Sequence, residues 1–115
     1  MVSRSAAYVP DRGHIIWLDF DPQVGREQAG RRPALVLSPA SYNRLTSLAI
    51  VCPNTGQSKG YPYEVHLPSG LRATGVVLSD HIKSLDWVVR RAEYLDVLPD
   101  AELSEVLTKI ETLLT

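Results

Sequence analysis

Short apolar runs separated by Pro, Gly and small polar residues follow one another along the chain, a rhythm that predicts an all-β domain. Candidate strands are His14–Phe20, Ala34–Ser38, Ser47–Cys52, Tyr61–Leu67 and Gly75–Ser79, with a sixth element around Ile82–Leu85 and a weaker one near Arg91–Tyr94. Turn chemistry stands between them at Asp21-Pro22, Pro53-Asn54 and Pro68-Ser69-Gly70. In Tyr61–Leu67 the residues Tyr63, Val65 and Leu67 share one face and Glu64 and His66 the other, the alternation of a half-exposed antiparallel strand. Ala34-Leu35-Val36-Leu37 and Leu48-Ala49-Ile50-Val51-Cys52 do not alternate. Both faces of those two strands need cover, by a helix or a second subunit, and for so small a chain a homodimer is the simpler expectation.

Only one segment reads as a helix. After Pro99, the residues Leu103, Val106, Leu107, Ile110, Leu113 and Leu114 fall at helical spacing and form one apolar stripe. Pro99 suits the first turn, and Asp100 and Glu102 put negative charge where the helix dipole favours it. The expected fold is mainly β, a small SH3-like barrel of five to seven antiparallel strands with a C-terminal α-helix.

Composition adds bounds. At 115 residues, 22% charged and 44% hydrophobic, the chain has the size of a single globular domain, residues 1–115. The lone Cys52 has no partner in its own chain, which suits a reducing compartment. No stretch approaches the ~20 apolar residues that span a bilayer, and Met1–Ala7 has no apolar signal-peptide core, so a cytoplasmic protein without a membrane partner is expected. The formal charge of −1 conceals a division. Beyond residue 92, six acids face Lys109 alone, so residues 1–92 hold eleven cations against seven acids, a net +4. A basic body of that kind is compatible with a polyanion held in one groove.

The stretch between the first two strong strands, Asp21 to Pro33, is thirteen residues long, and loops of that length are commonly functional or disordered. It carries Glu27, Gln28 and three arginines, with Gly25 and Gly30 permitting sharp turns. Arg32 precedes Pro33 and is biased toward an extended backbone, a fixed guanidinium fork for phosphate oxygens. A carboxylate with an arginine can cleave RNA without a metal, because the substrate carries its own 2′-hydroxyl nucleophile. A plain solvated loop, with Glu27 paired to Arg26 or Arg31 at the surface, fits the same residues.

The ordered set Met1-Val2-Ser3-Arg4, Asp19-Phe20-Asp21-Pro22, Glu27-Gln28-Ala29-Gly30-Arg31-Arg32-Pro33, Ser38-Pro39, Tyr42-Asn43, Gln57-Ser58-Lys59-Gly60-Tyr61-Pro62, Gly75-Val76, Asp80 and Ile82-Lys83-Ser84 resembles the MazF/PemK toxin family. The similarity runs through the final helix and covers essentially the whole chain. It implies an SH3-like barrel acting as a homodimer, and a sequence-specific endoribonuclease of a toxin–antitoxin system that needs no metal or other cofactor. The substrate so implied is single-stranded RNA, cut by 2′-OH transesterification to leave 2′,3′-cyclic phosphate and 5′-OH ends. Carried over by position, Glu27 becomes the base, Arg32 the principal catalytic cation and candidate acid, and Thr55 the threonine opposite that arginine. Gln28, Gln57, Lys59, Lys83 and Arg90 become phosphate or base contacts along the groove. A MazE-type antitoxin, with an acidic tail in the RNA groove, is the implied regulatory partner. By itself, Thr55 in Pro53-Asn54-Thr55-Gly56-Gln57 reads equally as turn chemistry.

Departures from that family pattern are Asp80-His81 where close members carry Asp-Gln, Ser5-Ala6-Ala7 near the start, and Pro53-Asn54. They bear on RNA sequence choice before chemistry. Other readings of the residues are weaker. His14, His66 and His81 raise a two-histidine ribonuclease, yet nothing in the sequence brings two together. Cys52 sits inside an apolar strand and no spacing resembles a zinc motif. Trp17 and Trp87 suit base stacking or the core alike. A function of another class is a non-enzymatic CcdB-like toxin that binds and inhibits DNA gyrase, which would need no Glu27–Arg32 pair.

Overall fold

The computed structural model describes residues 8–20 and 30–115. Strands β1 (His14–Asp19) and β2 (Arg31–Val36) form an antiparallel pair, followed by helix α1 (Ala40–Thr46) and β3 (Leu48–Thr55). Then come β4 (Glu64–His66), β5 (Val76–Leu78), β6 (Lys83–Asp86), β7 (Glu93–Val97) and helix α2 (Asp100–Leu114). The strands are ordered β4-β5-β3-β2-β1-β7, with β6 also pairing with β3. Every expected strand is present. β2 begins earlier than expected, at Arg31, and β3 runs on to Thr55 through Pro53. The sheet is barrel-like without closing, since its end strands β4 and β7 do not pair with each other.

Strand alternation distributes the apolar residues between two clusters. Ile15, Leu35, Leu37 and Cys52 share one cluster with Val65, Val77, Val106 and Ile110. Ile16, Leu18, Ala34, Val36, Ala49 and Val51, from the opposite faces of the same strands, form the other. Helix α2 covers the first cluster. Tyr8, Leu85, Trp87 and Ala92 cover the second, so Ala34, Val36, Ala49 and Val51 are fully buried within one chain. The two-faced strands therefore find their cover at home, in Tyr8, β6 and the β6–β7 connection, and do not by themselves call for a second subunit.

Helix α1 was not expected, because Ala40-Ser41-Tyr42-Asn43-Arg44-Leu45-Thr46 has no apolar stripe. A buried polar hub holds it instead. Asn43 donates from Nδ2 to the carbonyls of Pro10 (2.8 Å) and Ser38 (3.0 Å), and accepts from Ser38 Oγ at 2.6 Å. The Trp87 indole donates to the Asn43 carbonyl at 2.9 Å. Trp87 thus ties the β6–β7 connection to α1, a packing role; Trp17 packs against the first cluster. In α2 the expected stripe is narrower than drawn. Val106 and Ile110 are buried and Leu103 is packed against the core, while Leu107, Leu113 and Leu114 are exposed.

Glu64 departs from the expected alternation. His66 is exposed as expected, but Glu64 is only 7% exposed, because the turn before it folds over its carboxylate.

Candidate functional site

A change of pairing along β3 creates the site. β2 and β3 are paired at Val36↔Val51, Leu35↔Cys52 and Ala34↔Pro53, and no further. Extending that register by two residues would set Arg32 opposite Thr55. β3 instead turns to β5, pairing Asn54↔Val77 and Thr55↔Val76, while Arg31–Pro33 stays with β1. The two strands splay, and a cleft of about 600 Å³ lies between them, with Arg32, Thr55, Gly56, Gln57, Lys59, Tyr61, Glu64, Leu78 and His81 on its walls.

Neighbouring side chains on a strand point to opposite faces, so the Arg31-Arg32 pair is divided. Arg31 donates to Asp19 Oδ1 (3.0 Å), Glu93 Oε1 (2.8 Å) and the Arg91 carbonyl (2.7 Å). Arg91 closes the same network through Nε to Asp19 Oδ2 at 2.7 Å. Hydrogen bonds from Arg91 and then Arg31 hold the Asp19 carboxyl below the usual range. Phe20 N–H donates to the Gly30 carbonyl at 2.8 Å, at the end of β1. Glu27 and Gln28 lie outside the described residues.

Thr55 is held from two sides. Asn54, 2% exposed, donates from Nδ2 to the carbonyls of Thr74 (3.1 Å) and Val76 (2.9 Å), sewing the end of β3 to the start of β5. Gly75, with φ +95°, packs so closely that a Cβ there would lie 2.0 Å from the Thr55 carbonyl oxygen. Thr55 Oγ1 accepts from Gln57 N–H at 3.4 Å. The turn chemistry expected of Thr55 is therefore present, and its hydroxyl hydrogen is still able to donate into the cleft.

The next wall is the turn 58–60. Glu64 accepts from Lys59 N–H (2.9 Å), Ser58 Oγ (2.7 Å) and Gly60 N–H (3.2 Å), and these bonds, led by that from Lys59, keep its carboxyl below the usual range. Reading the sequence for chemistry misses this carboxylate, as it misses Tyr61 and Leu78. The only local signal was a Ser-Lys-Gly turn shortly before an acid.

Of the residues expected to meet at the groove, Arg32, Thr55, Gln57 and Lys59 share one cleft. Lys83 and Arg90 are not on its walls. Lys83 pairs opposite Val51, four residues back along β3 from Thr55, about 13 Å at strand rise. Arg90 donates to the Asp19 carbonyl at 3.0 Å and lines a separate cleft with Asp19, Ser84, Asp86 and Arg91. Opposite charges balance there, so it is no anion trough.

One histidine, His81, reaches the Arg32 cleft, with Nε2 3.8 Å from Asp80 Oδ1. His14 is engaged elsewhere, its Nδ1 accepting from the Tyr8 hydroxyl at 2.7 Å. Burial pushes the Cys52 thiol up to about 12, the character of a packing residue. Among the described residues no group of three or more His, Cys, Asp or Glu side chains offers a metal shell.

A small, bent antiparallel sheet with an exposed cationic cleft between splayed strands defines a class of β-domain suited to holding an anionic chain. Residues 11–114 match the model of the PemK-like, MazF-like toxin family of type II toxin-antitoxin systems. The endoribonuclease toxin MazF of Escherichia coli K12 is 50% identical over 114 residues, 99% of each chain. The crystal structure of MazF from Deinococcus radiodurans superposes with a TM-score of 0.89 at 58% identity, covering 94% of this chain and 98% of that one. A MazE-MazF structure from the same organism gives 0.85 at 54% identity, with 94% and 97% covered. The chain belongs to the PemK-like, MazF-like toxin family.

Proposed function

We propose that the Arg32–Thr55 cleft cuts single-stranded RNA, within a short recognition sequence, by attack of a 2′-hydroxyl on the adjacent phosphorus and without a metal. The chain is an endoribonuclease toxin of its family, and a MazE-type antitoxin is its regulatory partner. The observation that carries the reading is the parting of β2 from β3, beside which an arginine and a threonine line one exposed cleft.

In the reaction a base takes the 2′-hydroxyl proton as the O2′–P bond forms; the P–O5′ bond breaks and the 5′-oxygen is protonated. The products are a 2′,3′-cyclic phosphate and a 5′-hydroxyl. Arg32, a permanent cation, stabilises the charge that builds on the phosphoryl oxygens. Thr55 or water delivers the proton to the leaving oxygen. Where water delivers that proton, Thr55 donates its single O–H to a non-bridging oxygen. Glu27 is the proposed base, and Gln28, next in the sequence, a proposed RNA contact. Gln57 and Lys59 contact the strand. The separate position of Arg90 gives it at most a remote phosphate contact, and the same holds for Lys83.

In-line attack needs a backbone free to rotate, and unpaired bases expose the edges a groove can read, which favours single-stranded RNA. A homodimer acting in the cytoplasm belongs to this reading. Leu45, Val88 and Val89 are the exposed apolar side chains that a second copy would cover on the α1 and β6–β7 side. A gyrase-binding toxin without nuclease activity has no use for the Arg32–Thr55 cleft.

The test is incubation of purified protein with a long RNA in EDTA. Defined cuts with cyclic-phosphate ends are expected, and Arg32→Ala, with its thermal transition intact, should lower the rate by about 10²–10⁴-fold. No cuts, or cuts that require added metal, would overturn the proposal.

A further inference from the structure

We propose that Glu64 is a positioning residue, whose carboxylate seats the turn 58–60 and so sets where Gln57 and Lys59 stand in the cleft that Arg32 also lines, fixing which RNA sequence is accepted. The inference rests on the endoribonuclease reading above.

A carboxylate in a cleft for a polyanion repels its ligand, so its presence there needs a reason. The hydrogen bonds supply one. Lys59 and Gly60 present consecutive N–H groups, with Gly60 at φ +80°, and form a concave anion-binding nest that the Glu64 oxygens fill. Ser58 Oγ donates to the same group from the side. Glu64 itself stands on a rigid support. Its N–H donates to the Tyr61 carbonyl at 3.2 Å, the next residue, Val65, is fully buried in the first core cluster, and Lys109 of α2 donates to the Pro62 carbonyl at 2.8 Å. One side chain thus links the core to an exposed turn that would otherwise pay its own ordering entropy on binding RNA.

The same bonds argue against Glu64 as the general base. A base needs an open lone pair and a proton affinity near the working pH. Both oxygens of Glu64 are already occupied by donors, and the carboxyl is held in its charged form.

The experiment compares the unaltered protein with Glu64→Gln and Ser58→Ala on an RNA carrying one mapped cleavage site and on its single-base variants, from pH 5 to 8. In Glu64→Gln, KM for the mapped site should rise about tenfold with kcat changed less than about threefold, and discrimination against the single-base variants should narrow. Ser58→Ala removes one donor and leaves the carboxylate, so it should move both quantities the same way by less. The acid limb of the kcat profile should stay in place. A collapse of kcat at constant KM, with loss of that limb, would make Glu64 a base and overturn the proposal. Unchanged KM and discrimination with only a lowered melting temperature would also overturn it. If Glu64→Gln does not fold, Ser58→Ala decides by the same two readouts. Failure of the unaltered protein to cut any RNA refutes the underlying reading; normal cutting with unaltered selectivity in the variants refutes only the role of Glu64.

Discussion

Gly75 offers the sharpest test of how the cleft is built. It has φ +95°, and a Cβ there would meet the Thr55 carbonyl oxygen at 2.0 Å and the Gly56 Cα at 2.7 Å. Both atoms are backbone and cannot swing aside. Gly70 has the same φ of +95° but open space around its Cβ position, so it isolates the conformational cost. Gly70→Ala should cost about 1 kcal/mol for a left-handed backbone. Gly75→Ala adds overpacking, typically about 1–3 kcal/mol, for a total near 2–4 kcal/mol. At about 4 °C per kcal/mol for a domain of this size, melting should fall by roughly 4 °C in the first variant and roughly 8–16 °C in the second. The clash is relieved by moving Thr55, and a displacement of about 1 Å near the reacting atoms can lower the rate about 100-fold. Cleavage of RNA well below the melting transition should therefore drop in Gly75→Ala and hold in Gly70→Ala. Equal losses of melting temperature in the two variants, or full activity in Gly75→Ala, would refute the claim that Gly75 packing positions Thr55.

Asn43→Ala should cost about 3 kcal/mol in urea unfolding, because it leaves buried partners at Pro10 and Ser38 unsatisfied; a loss under about 1 kcal/mol would count against the polar hub. Asp19, with its carboxyl lowered by Arg91 and Arg31, contributes stability that is complete above the usual carboxylate range and is lost as the pH falls through its folded pKa. Acid titration of Asp19→Asn, followed by circular dichroism, should accordingly show a shallower fall below about pH 4 than the unaltered chain, and an identical fall would dismiss the network. Cys52, buried and with its thiol pushed up to about 12, should resist iodoacetamide at pH 8 until the protein is unfolded; prompt stoichiometric alkylation of the native protein would contradict the packing.

The candidate site was legible in part. Resemblance picked out Arg32, Thr55, Gln57 and Lys59, and these do share a cleft. Lys83 and Arg90 were grouped with them because a linear sequence gives no distances; β6 pairs with the far half of β3, and Arg90 belongs to the edge where β1 meets β7. The alternation of its strand places Glu64 on the exposed face. Its burial comes from a turn folding back on it, which a period of two does not encode.

What the chain determined on its own is everything that depends on local period. Alternating or doubly apolar runs specified the strands, and an apolar stripe after Pro99 specified α2. Tertiary structure decided what fills each face and which distant residues meet. Helix α1 exists because Asn43 finds Pro10, Ser38 and Trp87, and the second face of β2 and β3 is covered by Tyr8, β6 and the β6–β7 connection. Arg32 and Thr55 line one cleft where β3 exchanges one partner strand for another after Pro53. Side-chain direction is a property of neighbouring residues, whereas register and strand divergence are set by the energy of the whole sheet.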